Sequence, residues 1–274
     1  LVVFGLLLGQ SALRAEEKAA PLVVGETFTI PSRVLGETRR INVYRPPGLA
    51  ADAALPVLYL PDGGLAEDFL HIAGLVQVGA SNGTMRPFLL VGIENTERRR
   101  DLTGPTANAE DRKIAPRVGG SAAFRKFLRD ELMPHIKSRY RTTGERAIIG
   151  ESLAGLFVVE TLLLEPDLFD TYIAIDPSLW WNDQKLVADA GRQLRARPDL
   201  KKSQHLKSLY LACSSEERTP GVFARFVEVL KKESPQGLHW RAVTMPEEKH
   251  ATIFHPAALK AFRELLAPRS QARD

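Results

Sequence analysis

Residues Arg146 to Phe157 read R-A-I-I-G-E-S-L-A-G-L-F. An apolar, β-branched run ends at Gly150, and past Ser152 the chain becomes apolar again in the manner of a helix packed hard against a sheet. Ser152 therefore stands at a corner between a strand and a helix. A nucleophile on such a corner needs small neighbours, because the backbone is strained and adjacent elements pass close by. Gly150, two residues before, and Ala154, two residues after, supply them, and Gly155 lets the helix come closer still. Frequency alone would produce Gly-x-Ser-x-Gly/Ala in about one chain in five or six of this length. The strand before it and the helix after it are what separate a nucleophile elbow from a serine that merely caps a helix.

Outward from this corner, short apolar runs recur: FTI near 28–30, INVY 41–44, VLYL 57–60, FLLVGI 88–93, AIIG 147–150, YIAI 172–175, LYLAC 209–213 and WRAVTM 240–245. The later ones are continuously apolar, as strands covered on both faces should be. Between them, Phe124, Phe127, Leu128, Leu132 and Ile136 fall at helical spacing, with Pro134 expected to kink or interrupt that helix near its end. Further helices are expected from Leu153, over Val222–Leu230 and over Ala257–Leu266. Alternating strands and helices predict a mostly parallel sheet of about eight strands with helices on both faces, the first two strands forming an antiparallel start. In such sheets functional groups collect at the carboxyl ends of the strands.

The chain has 274 residues, 44% hydrophobic and 26% charged, which is enough for one sizeable core. Residues 1–20 open with the apolar run LVVFGLLLGQSALRA, closed by small residues, and resemble the later part of a secretory signal peptide with Ala15 as the expected cleavage position. The expectation is a leader over 1–20, one domain over 21–274, and a periplasmic or secreted location. A net charge of +4 with scattered Lys and Arg gives no stripe for nucleic acid. Arg98-Arg99-Arg100 is the densest basic run and reads first as a solvated face. The single cysteine, Cys213, excludes an intramolecular disulfide and sits in an apolar run as a buried thiol.

A serine hydroxyl attacks only when a base takes its proton and a third group orients that base. On this topology the order is Ser, acid, His. His71 and His135 precede Ser152, His205 lies in a charged approach to a strand, and His239 is inside a strand. His250, in the loop after the last strand, is favoured over His255, which precedes Pro256 at the start of the closing helix. The acid belongs after a preceding strand, where Glu216 and Glu217 follow LYLAC and Asp176 follows YIAI. Spacing does not choose among the three. For the oxyanion, the Leu153 amide is one donor by construction, and the Gly63-Gly64 turn after VLYL offers another.

Several segments together resemble the esterase family of α/β-hydrolases that includes enterochelin-type siderophore esterases, feruloyl esterases, S-formylglutathione hydrolase and mycolyltransferases. The matching stretches are INVYRPPG, PVLYLPDGG, RRRDLTGP, FRKFLRDELMPHIKSRYRT, the elbow with its helix, and IAIDPSLWWND, covering nearly everything after residue 30. The resemblance implies the α/β-hydrolase fold, a serine carboxylic-ester hydrolase acting through an acyl-serine, a small-molecule ester as partner, and no metal or organic cofactor. It places Ser152 on the nucleophile, His250 on the base, and Leu153 with Gly64 on the oxyanion hole. Alignment of ACSSEE with the corresponding strand end of feruloyl esterases puts Glu217 on the acid. It also brings Arg98 to Asp101 near the mouth of the site, making Arg100, Trp180 and Trp181 candidates for substrate binding, although paired tryptophans are first of all core or wall residues. The rival readings are a thioesterase or acyltransferase on the same residues, a siderophore-binding accessory protein without turnover, and an inactive hydrolase scaffold.

Overall fold

All eight apolar runs are strands of one sheet in the computed structural model of the protein, which describes residues 19–196 and 206–268. In chain order they are β1 (Glu26–Ser32), β2 (Glu37–Tyr44), β3 (Leu55–Pro61), β4 (Leu89–Ile93), β5 (Thr142–Glu151), β6 (Thr171–Ile175), β7 (Lys207–Cys213) and β8 (Leu238–Thr244). Their spatial order is β1-β2-β4-β3-β5-β6-β7-β8. Strand β2 runs antiparallel to both neighbours, as expected for the start of the sheet. Every other pairing is parallel. Most of the leader-like segment and His205 lie outside the described residues. No helix among the described residues is long and apolar enough to cross a membrane.

The period-2 alternation of the strands divides the core into two layers. On β3, Val57 and Tyr59 face one layer while Leu58 and Leu60 face the other; on β5, Ile148 opposes Ala147 and Ile149. Helices α1 (Phe69–Ser81) and, near the carboxyl terminus, Phe254–Leu265 cover the second layer. After the short α2 (Arg98–Asp101) and α3 (Ala109–Lys113), the first layer is covered by α4 (Ser121–Phe127), α5 (Met133–Arg139), α6 (Leu153–Leu164), α7 (Trp181–Arg195) and α8 (Val222–Glu233). Phe254–Leu265 is α9.

The interruption expected at Pro134 takes another form. A wide turn of π-helix, Leu128–Leu132, joins α4 to α5, and Pro134 falls in the first turn of α5. The wide turn just before it opens the spacing that the Pro134 ring and its missing N–H require, so the chain stays helical through the proline.

Helix α6 is held tightly to the corner from which it starts. A Cβ on Gly150 would lie 2.6 Å from the Cβ of Ala154 and 2.7 Å from its carbonyl carbon. One on Gly155 would lie 2.9 Å from the carbonyl oxygen of Ile175, at the end of the neighbouring strand. The helix thus folds back over β5 and lies beside β6 at distances that only glycine permits at these two positions. Gly150→Ala should lower unfolding stability by about 2 kcal/mol, read as a drop in the urea midpoint at unchanged m-value.

Candidate active site

Strands β3, β5 and β6 are adjacent in the sheet, and each is followed at its carboxyl end by a non-glycine residue with positive φ: Asp62 (60°), Ser152 (59°) and Asp176 (45°). Such backbone is costly for residues with a Cβ and persists where the surroundings over-determine it. For Ser152, at ψ −118°, they do. Its N–H donates to the carbonyl of Ile175 (3.0 Å), and its own carbonyl accepts from Ser178 N–H (3.0 Å) and Leu156 N–H (2.9 Å). The side chain projects from the corner, with Ser178 Oγ 3.4 Å from its hydroxyl oxygen.

What it meets is His250, in the loop after β8. Ser152 Oγ lies 3.1 Å from His250 Nε2, and His250 Nδ1 lies 2.6 Å from Asp176 Oδ2. A carboxylate at Nδ1 can only accept, so it holds the ring in the tautomer with the proton on Nδ1 and leaves Nε2 to accept from the serine. Burial alone would raise the pKa of Asp176, but hydrogen bonds from His250 and from the N–H and Oγ of Ser214 outweigh it and bring the pKa below the ordinary value. The hydrogen bond to Asp176 raises the pKa of His250 against the opposing effect of burial. A cavity of about 360 Å³ opens beside Ser152, walled by Pro177, Trp180, Val222 and Phe223 and rimmed by Glu216 and Arg218.

The acid placed on Glu217 by resemblance is corrected. Glu217 accepts from the backbone N–H groups of Gly221 (2.7 Å) and Phe223 (2.8 Å), satisfying donors at the start of α8, while Asp176 takes the place at His250. Glu216 touches the base only through its backbone, accepting from His250 N–H at 3.2 Å. Arg100 is corrected as well: its guanidinium is held by Glu37 and Asp101, and it lines a separate surface cleft with Arg98, Arg99 and Arg117. Asp101 also carries the buried Arg39, so α2 is pinned to β2 by a network of paired charges. The two tryptophans part company. Trp180 lines the cavity under Arg218, whose guanidinium carbon sits 4.0 Å from the ring centroid. Trp181 is buried and donates its indole N–H to the Gly104 carbonyl at 2.9 Å, which makes it a core residue.

Leu153 opens α6, as an oxyanion donor should. The Gly64 amide, by contrast, already donates to Glu67 Oε2 at 2.6 Å, with Glu67 N–H bonded back to the Gly64 carbonyl at 3.0 Å. The Glu67 carboxylate thus reaches back to the first amide of a turn that its own N–H closes on the Gly64 carbonyl. Asn95 donates to both Glu67 and Asp62, and Arg98 binds both oxygens of Asp62 at 2.7 Å. Residues that sequence reasoning passed over include Ser214, Arg218 and Glu151. The middle position of the elbow is the only sequence signal that singles out Glu151.

Glu151 is mostly enclosed, and its Oε1 is buried without a hydrogen-bond partner among the described residues. Burial pushes its pKa up to about 7, with the charges of Asp68 and Asp176 adding to the shift and those of His250 and Arg98 opposing it. Asp68 is pushed up to about 6, by burial and then by the charge of Asp62. No group of three or more His, Cys, Asp or Glu among the described residues is arranged to hold a metal ion.

A serine on a strained strand-to-helix corner, bonded through a histidine to a buried carboxylate at the carboxyl edge of this sheet, defines a serine hydrolase of the α/β-hydrolase class. The comparisons narrow this. The family described as "Putative esterase" matches residues 32–252, and the chain belongs to it: it is a serine carboxylic-ester hydrolase. The ferri-bacillibactin esterase BesA of Bacillus subtilis is 33% identical over 273 residues, 88% of this chain and 92% of its own length. The crystal structure of an IroE-like serine hydrolase from Shewanella oneidensis matches with TM-score 0.76 at 30% identity, covering 88% of this chain and 80% of that one. The BES protein from Bacillus cereus shares the fold, with TM-score 0.78 at 23% identity over 91% of this chain and 98% of its own.

The carboxyl at Glu151 sets a pH dependence of stability. Between its ordinary pKa of 4.5 and its folded value of about 7, the native state holds a proton that the unfolded chain has released. Stability therefore falls as pH rises through that window, by on the order of 2–3 kcal/mol for this group. Urea unfolding at pH 5 and pH 8 should show Glu151→Gln losing markedly less stability over the interval than the parent protein. Equal losses would refute the assignment.

Proposed function

We propose that the protein cleaves esters of siderophore type by acyl transfer through Ser152, with His250 as base and Asp176 as the group that orients it. The observation that carries the reading is the hydrogen-bonded series Ser152 Oγ, His250 Nε2, His250 Nδ1, Asp176 Oδ2. Ser152 Oγ attacks the ester carbonyl as its proton passes to His250 Nε2, and the imidazolium is stabilised by the Asp176 carboxylate. Collapse of the tetrahedral intermediate breaks the carbon–oxygen bond to the alcohol, which takes the proton back from His250. Water, deprotonated by the same nitrogen, then attacks the acyl-serine, and the acid product leaves with Ser152 restored. The Leu153 amide stabilises the oxyanion. Gly64 can add a second donor only by exchanging its bond to Glu67 for one to the substrate.

Support for the substrate class comes from the ferri-bacillibactin esterase at 33% identity and from the cavity itself. Its mixed lining of Pro177, Trp180, Val222 and Phe223 with charged residues at the rim suits a bulky ester carrying flat apolar groups and polar substituents.

The purified protein should hydrolyse p-nitrophenyl butyrate and open a ferric trilactone siderophore, the products being identified by mass spectrometry. Ser152→Ala should abolish both activities and covalent labelling by a fluorophosphonate; retained turnover would overturn the nucleophile assignment. Cleavage of the simple ester without the trilactone would sink the substrate class alone. For the acid, Asp176→Asn should lower kcat by about a thousandfold. Glu217→Gln should act mainly by weakening the start of α8, at a cost of about 1 kcal/mol in stability. Because the His250 pKa is raised above 6.5, neutral imidazole accumulates only at higher pH, so the acidic limb of kcat/KM should lie above that value.

A further inference from the structure

The turn after β7 holds the acid without supplying it. Ser214 N–H donates to Asp176 Oδ1 at 3.0 Å and Ser214 Oγ donates to Asp176 Oδ2 at 2.8 Å, so each carboxylate oxygen has its own donor from one residue. Two attachments fix the plane of the carboxylate, where a single bond would leave it free to rotate about its terminal torsion. Both residues are buried, Ser214 at 7% and Asp176 at 8% exposure, so neither oxygen would find ready compensation in bulk water. The same turn reaches the base. Ser215 donates to the Glu248 carbonyl through its N–H (3.0 Å) and its Oγ (2.8 Å), and Glu216 Oε2 accepts from His250 N–H (3.2 Å). Glu216 N–H closes the turn on Ser214 Oγ at 3.1 Å.

We propose that Ser214 is a positioning residue for the hydrolysis, and that the turn Ser214-Ser215-Glu216 is a clamp holding the acid of β6 and the base loop after β8 in register. The proposal rests on the Ser152–His250–Asp176 reading given above. Ser214 touches no substrate; it acts by keeping Asp176 ionised and in the plane that meets His250 Nδ1. The hydroxyl bond also draws charge from Oδ2, the oxygen that faces the imidazole, and so moderates how strongly Asp176 favours the imidazolium. The other carboxyl groups facing His250 are Glu151, which holds its proton up to about pH 7, and Glu216, and Glu151 is itself faced by Asp68 and Arg98.

The test is the pH profile of kcat/KM, with kcat and KM separated, for Ser214→Ala, Ser214→Thr, Glu216→Ala and Asp176→Asn in the full chain. Ser214→Ala should lower kcat about tenfold with KM within about twofold, and should move the acidic limb upward because Oδ2 regains the charge that the hydroxyl had drawn. Ser214→Thr, which retains the hydroxyl, should restore most of the rate. Glu216→Ala lies on the exposed side of the turn and should move the limb downward, because an anion facing His250 is gone. Loss of thermal stability in Ser214→Ala with kcat and the limb unchanged would overturn the clamp while leaving Asp176 in place. If Ser214→Ala does not fold, Ser214→Gly, which keeps the amide and loses the hydroxyl, replaces it, and an unchanged kcat and limb in that variant overturn the proposal. A harmless Asp176→Asn would overturn both the clamp and the reading beneath it.

Discussion

The contact between Gly150 and Ala154 is the constraint on which the rest of this molecule depends. With a Cβ-to-Cβ distance of 2.6 Å for anything larger than glycine, the end of β5 and the first turn of α6 can share their space in only one way. That arrangement forces Ser152 into left-handed backbone at the point where the chain reverses. The same geometry sets the helix against the neighbouring strand, since Gly155 passes the Ile175 carbonyl and Ser152 N–H bonds to it. The residue immediately after Ile175 is Asp176, itself left-handed. Ser152 and Asp176 are therefore located by one packing event, and His250 bridges them from the loop after β8.

How much of this was legible depends on whether the information is local. The strands were readable because continuous apolar runs must be covered on both faces, and all eight lie within or against the observed elements. Ser152 and His250 were readable because a corner and a loop after the last strand are positions along a chain. Asp176 against Glu217 was not, because the choice depends on which strand ends lie within reach of the imidazole, and strand order is not written in any single segment. Glu217 has a carboxylate at a fitting sequence position but bonds the α8 amides six residues or fewer away, a local competition invisible to alignment. Helices α1 and α7 were passed over for related reasons. The first carries His, Gly and β-branched residues of weak helical preference, and the second begins with Asn182, Asp183 and Gln184 at positive φ.

The charged residues teach a second lesson about reading side chains from sequence. A run of three arginines invites an anionic ligand, yet Arg98 and Arg100 are committed to Asp62, Glu37 and Asp101 inside the protein. Arg98 ties α2 to the turn after β3, and Arg100 ties it to β2 through Glu37. Arg218, isolated in sequence and unremarkable there, is the guanidinium that stands in the cavity, stacked on Trp180. Arg98 and Arg100 are taken up by nearby carboxylates, whereas Arg218 lies on an aromatic face at the cavity.

Placing the carboxylate at the end of β6 has a consequence for how such an enzyme can diversify. Beyond Glu216, the turn after β7 contributes Glu217 and Arg218 to the cavity wall, and neither side chain bonds to His250 or Asp176 among the described residues. The part of this turn beyond Glu216 can therefore change in length or composition and reshape the cavity, while Ser214 to Glu216 keep their bonds to Asp176 and to the loop of His250.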